Sequence, residues 1–348
     1  MATKRVNYTI VQGLRGFASI AVLLFHAIQG GHVPSILAAL PFSLINDFFA
    51  VSVFFTLSGF VTAHGLAGVN MTPAMVGRFM LGRSIRLDPA YWASMLVAIA
   101  FVLLAAIVHG RIFHLPTIGE LLAHVFYLQE MLGIPEINIV YWTLTYEFQF
   151  YLIFALSLTI RSRWMEGGTW ALAMLSALGL VGTHWHGFFV EHWAVFYVGV
   201  IARRALDSQI ARVGLALLVV ALLCGSGFER MPALVALLLF VSAWTGWAET
   251  GLNWRWLQFL GAISYSLYLV HVPLMQAVDS IVHRLFGHGM AADLICLVLI
   301  LAASITAAVL LYHAIERPSH RLARAIRSRP APEPLILPTR PLPDAPPA

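Results

Sequence analysis

Leu14-Arg15-Gly16-Phe17-Ala18-Ser19-Ile20-Ala21-Val22-Leu23-Leu24-Phe25-His26 is an apolar run interrupted by one arginine and one histidine. Extended to residues 10–29, it reaches the roughly 20 residues that a helix needs to cross a bilayer. At about 100° per residue, Arg15 and His26 fall within roughly 20° of each other around such a helix and about 16 Å apart along it. An ionisable group inside a span is costly and marks a functional site by default. Two on one face suggest a line of polar chemistry running across the membrane. The segment alone leaves a second reading open, in which Arg15 snorkels to the headgroups and His26 caps the far end of the helix.

The rest of the chain extends that reading. Apolar residues make up 60% of the 348 residues and charged residues 11%, against roughly 45–50% and 25% in soluble domains. Hydrophobic segments lie near 10–29, 46–66, 89–109, 140–160, 169–185, 188–204, 211–227, 231–248, 259–280 and 291–313. Segment 117–132 is apolar but short, holds Glu120, His124 and Glu130, and reads as re-entrant or interfacial. The expected fold is therefore all-α: a polytopic membrane helix bundle of about ten transmembrane helices.

Charge placement tests this count. With the N-terminus cytoplasmic, seventeen of the 21 lysines and arginines fall inside, Arg111, Arg230 and Arg284 fall outside, and Arg15 lies within the first span. That skew follows the positive-inside rule and puts both termini in the cytoplasm. The net charge of +5 then reports topology and contact with anionic membrane lipids. No nucleic-acid partner is implied, because no basic groove with stacking aromatics stands apart from the loops. The basic start followed by an apolar run is similar to a signal peptide, but Arg15 interrupts it, so an uncleaved first span is expected. Cys224 and Cys296 fall in spans and read as packing residues, with no disulfide or metal spacing around them. Residues 1–325 form the membrane domain, and 326–348 a proline-rich, disordered cytoplasmic tail with eight prolines between Pro330 and Ala348.

Four further segments carry chemistry. In Val51-Ser52-Val53-Phe54-Phe55-Thr56-Leu57-Ser58-Gly59-Phe60-Val61, Ser58 and Gly59 form a small-residue notch that admits either another helix or a ligand. Arg83-Ser84-Ile85-Arg86 sets two guanidinium groups one turn apart on the cytoplasmic side. Their fork geometry suits phosphate, and topology-setting charge explains them equally well. In the segment from Tyr141 to Tyr151, Glu147 lies about two turns inside its span, where a carboxylate needs a partner. Thr143 and Tyr151 share its face. In Ser264-Tyr265-Ser266-Leu267-Tyr268-Leu269-Val270-His271, His271 falls mid-span with Tyr268 and Tyr265 beside it. A buried structural histidine is the plainer reading of His271.

Together these segments resemble the acyltransferase 3 family of bacterial integral-membrane O-acyltransferases. The resemblance runs in order over roughly residues 8 to 325. It rests on Arg15 with His26, on Phe54-Phe55-Thr56-Leu57-Ser58-Gly59-Phe60, and on Arg83 with Arg86. Trp142-Thr143-Leu144 with Glu147 and Phe150-Tyr151, Ser264 to Leu269 with His271, and Glu316-Arg317-Pro318 complete it. Two positions depart from the family pattern: Ser52 and Phe148 stand where acidic residues are frequent, which puts accessory hydrogen bonds in doubt. Some relatives carry an esterase-like C-terminal domain. Here a short tail follows, so transfer is expected to finish within the membrane domain or on a separate protein.

The resemblance implies a multi-pass enzyme of the bacterial inner membrane. It would move an acyl group, acetyl by default, from cytoplasmic acyl-CoA to a hydroxyl of a saccharide, lipid-linked glycan or glycolipid, without a metal. Arg83 and Arg86 would hold CoA phosphates. Arg15, deeper at the same end, would join His26 and Glu147 in the catalytic set, and Ser58, Tyr151, Tyr268 and His271 would line the substrate site. The ~16 Å from Arg15 to His26 matches the reach of an extended pantetheine arm. His26 would act as general base on the acceptor hydroxyl, since imidazole titrates near neutrality. Glu147 would orient His26 or bind the acceptor. With no cysteine in the motifs, direct transfer is expected over a covalent acyl-enzyme.

A transporter is the competing class, since intramembrane Arg, Glu and His also mark substrate pathways. No paired broken helices or inverted repeat support it. A different histidine-dependent acyltransferase family is a nearer rival, and a histidine followed five residues later by aspartate occurs only at His288 with Asp293.

Overall fold

The computed structural model describes residues 8–39, 47–110, 115–182, 186–224 and 230–327. Lys4, Arg5, Arg111, Arg329 and Arg340, and the proline-rich tail from 328 onward, lie outside the described residues. Among those described, every regular element is helical.

The apolar run around Arg15 forms α1 (Thr9–Gln29), and α2 (Pro34–Ala39) follows a short turn. The Ser58 segment lies on α3 (Asp47–Leu66). Thr72 then caps α4 (Pro73–His109) by accepting the Met75 N–H at 3.3 Å, with Pro73 at the first helical position. α4 ends at Gly110, whose φ of +62° reverses the chain at no steric cost.

At 37 residues, α4 is about 55 Å long by its rise per residue. The hydrophobic segment expected at 89–109 is thus only its second half. The first half, with Arg78, Arg83 and Arg86, continues the same helix straight through Pro89. Hydropathy falls where the arginines begin, but the helix does not stop there, because their long aliphatic stems are good helix formers.

The doubtful segment 117–132 forms two short helices, α5 (Ile118–Val125) and α6 (Gln129–Leu132). The first begins with a reciprocal capping box between Thr117 and Glu120. At about 12 Å, α5 is too short to cross a bilayer.

The remaining helices are α7 (Trp142–Ser157), α8 (Arg163–Ala177), α9 (Trp193–Arg204), α10 (Gln209–Cys224), α11 (Arg230–Thr245), α12 (Arg255–Phe286) and α13 (Met290–Leu311). A π-helical turn, Tyr312–Glu316, joins α13 to α14 (Arg317–Arg327). Among the described residues, each expected hydrophobic segment overlaps a helix. By length and composition, four described helices could cross a membrane: Thr9–Gln29, Pro73–Val108, Arg255–Phe286 and Met290–Ala325. Ala50–Leu66, Gln209–Cys224 and Arg230–Thr245 are shorter apolar helices. Large apolar side chains point outward along the bundle, Leu96 at 71% exposure and Val298 at 63%. That is the inverse of a soluble surface.

Two glycine seams set the helix register. α1 and α12 run parallel, and a Cβ on Gly16 or Gly261 would strike the backbone oxygen of Leu257 or Gln12. α3 and α9 are also parallel, with Gly59 against the Phe196 carbonyl and Gly199 against that of Thr56. Small residues allow this close approach, which replaces the missing hydrophobic drive between helices in lipid. The Gly59 notch therefore admits a helix, while its neighbour Ser58 faces a cavity. Stacked Phe55, Phe196 and Phe150 fill the seam's flank, with centroids 4.2 and 4.5 Å apart.

Candidate active site

Between α1, α3, α4, α7 and α12 lies a cavity of about 560 Å³. Arg15, Arg83, Arg86, Ser58, Glu147, Tyr151 and Tyr268 all line it, together with Thr143 and Ser264. Seven residues singled out from five separate stretches of sequence thus meet in one hollow.

Each arginine is held differently. Arg83 donates to Tyr151 Oη at 3.2 Å and to Thr62 Oγ1 at 3.0 Å, with its guanidinium 4.1 Å from the Tyr151 ring centroid. Arg86 donates from Nε to His320 Nε2 at 3.1 Å. Arg15 lines the cavity with no direct hydrogen-bond partner among the described residues. Its charge, like that of Arg86, acts on Glu316.

Glu316 is 1% exposed. The π-helical turn carries it into the bundle, where it accepts from Ser266 N–H at 3.2 Å and Ser266 Oγ–H at 2.6 Å. In the sequence Glu316 showed only as part of an Glu-Arg-Pro ending. Its pairing i, i+4 with His320, at 3.5 Å, was the one local signal of something more. Ser264 adds a buried hydroxyl with no hydrogen-bond partner in the cavity wall. Donors therefore outnumber acceptors here, and the fork-shaped donors suit phosphate oxygens.

Glu147 sits elsewhere than beside His26. Its Oε1 accepts from Ser58 Oγ–H at 2.5 Å and from Tyr151 Oη–H. A chain thus runs from Arg83 through Tyr151 to Glu147, fixing the carboxylate in the cavity wall. Glu147 is expected to orient His26 or to bind the acceptor, and the residue whose ring nitrogen meets that of His26 is a different one.

That residue is His271. The parallel seam of α1 and α12 brings His271 Nε2 to 3.2 Å from His26 Nδ1. His271 Nδ1 lies 2.7 Å from the Tyr268 carbonyl and 3.1 Å from that of Leu267, so it carries the proton and donates. Nε2 of His271 is then the acceptor, and His26 Nδ1–H donates to it and to the Val22 carbonyl at 3.0 Å. In this neutral tautomer the lone pair of His26 resides on Nε2. His271 is 1% exposed and His26 half-buried. The pair adjoins the cavity through Tyr268, which lines it, stands 5.9 Å from His271 between ring centroids, and is anchored to Thr143 Oγ1 and the Val140 carbonyl at 2.9 Å each.

The profile of the family described as Acyltransferase domain matches residues 8–313. Peptidoglycan O-acetyltransferase OatA of Listeria monocytogenes is 26% identical over 195 residues, an alignment covering 50% of this chain and 28% of that protein. The chain thus spans under a third of that relative's length. No solved structure matches the chain.

Proposed function

This chain belongs to the family defined by that Acyltransferase domain, enzymes that move acyl groups other than aminoacyl groups, and on that premise we propose a multi-pass membrane O-acyltransferase. Its donor is acyl-CoA entering from the cytoplasm, with acetyl as the default group. Its acceptor is a hydroxyl of a saccharide or lipid-linked glycan, and the relative named for peptidoglycan O-acetylation supports that class. Ten spans across the bacterial inner membrane, with both termini cytoplasmic, complete the reading, supported by the skew of basic residues.

The observation that carries the proposal is the donor-rich cavity flanked by an oriented imidazole. Arg83 and Arg86 hold the CoA phosphates, and Ser264 Oγ supplies a further contact along the arm. Arg15, a turn and a half into α1 and about 16 Å along the helix from His26, adds its positive charge to the donor end where the CoA arm begins. His26 Nε2 takes the proton of the acceptor hydroxyl as its oxygen attacks the thioester carbonyl. The C–S bond then breaks, and the CoA thiolate leaves with the proton returned from the imidazolium. Atoms balance as ester plus free CoA. His271 acts as a positioning residue, fixing the tautomer and tilt of His26. Glu147, locked by Ser58 and Tyr151, shapes the wall where the acceptor enters.

Mass spectrometry of surface glycans and lipids, from cells with and without the gene, tests the function. An acyl mass lost with the gene supports it. Transport of labelled substrate into vesicles without covalent modification would sink it in favour of a transporter.

A further inference from the structure

At the far end of α12 from the cavity, five metal-capable side chains converge from three segments. His32 follows α1, Asp279 and His283 lie one turn apart on α12, and Asp293 and Cys296 lie one turn apart on α13. One ligand atom each from Asp279, His283 and Cys296 lies within 4.8 Å of the others. His283 Nδ1 is 2.6 Å from Asp279 Oδ1, and its Nε2 is 3.0 Å from Asp293 Oδ1. His32 Nδ1 stands 3.0 Å from Asp279 Oδ2. Asp293 Oδ2 accepts the Ser35 N–H at 2.6 Å. Asp293 and Cys296 are fully buried.

Each carboxylate oxygen of Asp279 and Asp293 faces one nitrogen, from His32, Ser35 or His283. His283 faces a carboxylate oxygen with each nitrogen, and in its neutral form it can donate to only one of them, so the site needs one further positive charge, a second proton or a metal ion. The thiol of Cys296 beside Asp279 favours the metal ion on the Nδ1 side. Nε2–H then donates to Asp293, and the Nδ1 lone pair turns to the ion. This is the carboxylate–histidine–metal relay in which an outer carboxylate fixes the ligand ring. Cys296, buried beside Asp279, supplies a sulfur that a hydrogen-bond network has no use for. Mixed nitrogen, oxygen and sulfur donors suit tetrahedral zinc over calcium or magnesium.

We propose that Asp279, His283 and Cys296, with His32 at the fourth position, bind one Zn²⁺ that clamps α12, α13 and the turn after α1, with Asp293 orienting His283 from outside. Binding releases the Cys296 proton to solvent. The half-open side at His32, 14% exposed, gives the ion its way in. Spacing in the sequence hides the site, because its ligands come from positions 32, 279–283 and 293–296.

The test uses the full chain in detergent, stripped with a chelator and titrated with Co²⁺ as a spectroscopic stand-in. Thiolate-to-cobalt charge transfer should saturate at one ion per chain and be displaced by Zn²⁺. Cys296→Ser should lose that band, and Asp293→Asn should weaken Co²⁺ binding by about 10–100-fold. His32→Ala, at the accessible edge, guards against misfolding. It should weaken binding while the metal-free chain unfolds at the wild-type temperature. No charge-transfer band in the wild type, or a band that survives in Cys296→Ser, overturns the site.

Discussion

α12 carries two polar clusters built on opposite plans. Near Ser266 the bundle concentrates donors: Arg15, Arg83 and Arg86 gather around the cavity, against the carboxylates of Glu147 in its wall and of Glu316 beside it. Near His283 it concentrates acceptors, Asp279 and Asp293 with the thiol of Cys296, against two imidazoles. Buried charge is tolerated only when compensated. A surplus of guanidinium therefore calls for an anion, and a surplus of carboxylate for a proton or a cation. The sign of the excess tells which ligand each end was built for. Between them lies the His26–His271 pair, which in its neutral tautomers adds no charge to either side.

The sharpest way to break this picture is His26→Ala. If the pair is the chemical centre, the turnover of acyl transfer, normalised to inserted protein, should fall by about 10²–10⁴, the usual contribution of a general base. Full activity would leave the donor-rich end without a purpose in catalysis.

Next in size is Arg86→Ala. Losing charge-assisted contacts of about 1.5–3 kcal/mol should raise the KM for acyl-CoA by roughly 10–100-fold, with turnover much less affected. Arg86→Lys should recover only part, since an ammonium lacks the fork. The KM for the acceptor measures whether the effect is confined to the donor end.

At the acceptor-rich end, chelation should act on stability alone. If zinc is held at 100-fold above its Kd, its removal costs about 2.7 kcal/mol. It should lower the thermal unfolding midpoint while leaving the KM for acyl-CoA unchanged. A shift in that KM would mean that the two ends are coupled.

The smallest effect is expected at a second acceptor-rich spot outside the spans. Burial, reinforced by a hydrogen bond with Glu136 and by its charge, pushes Glu130 up from the usual carboxylate range to about 7. Its folded-state value is raised, so the folded chain binds the extra proton. That stability is complete below the ordinary carboxylate value and is lost as pH rises toward 7. Thermal midpoints in detergent should fall across that window, and Glu130→Gln should flatten the fall.

Much of this was legible in one dimension. The period of α1 put Arg15 and His26 on a single face, and the spacing of Arg83 and Arg86 put two forks one turn apart. The depth of Glu147 called for partners, and Tyr151 and Ser58 supply them. Other features could not be read there. α4 runs through its arginines where hydropathy falls. Glu316 enters the core through a π-helical turn, a backbone irregularity with no residue signature. The partner of His26 is His271, 245 positions away.

What the chain alone determines is the set of faces: helical periodicity and the cost of burying charge decide which side chains point inward and at what depth. Which faces meet is decided in three dimensions, where Gly16 against Leu257, Gly261 against Gln12 and Gly59 against Phe196 let backbones touch. Those contacts set the sliding register of parallel helices. A shift of one turn between α1 and α12, about 5.4 Å, would separate His26 from His271 without changing a single face.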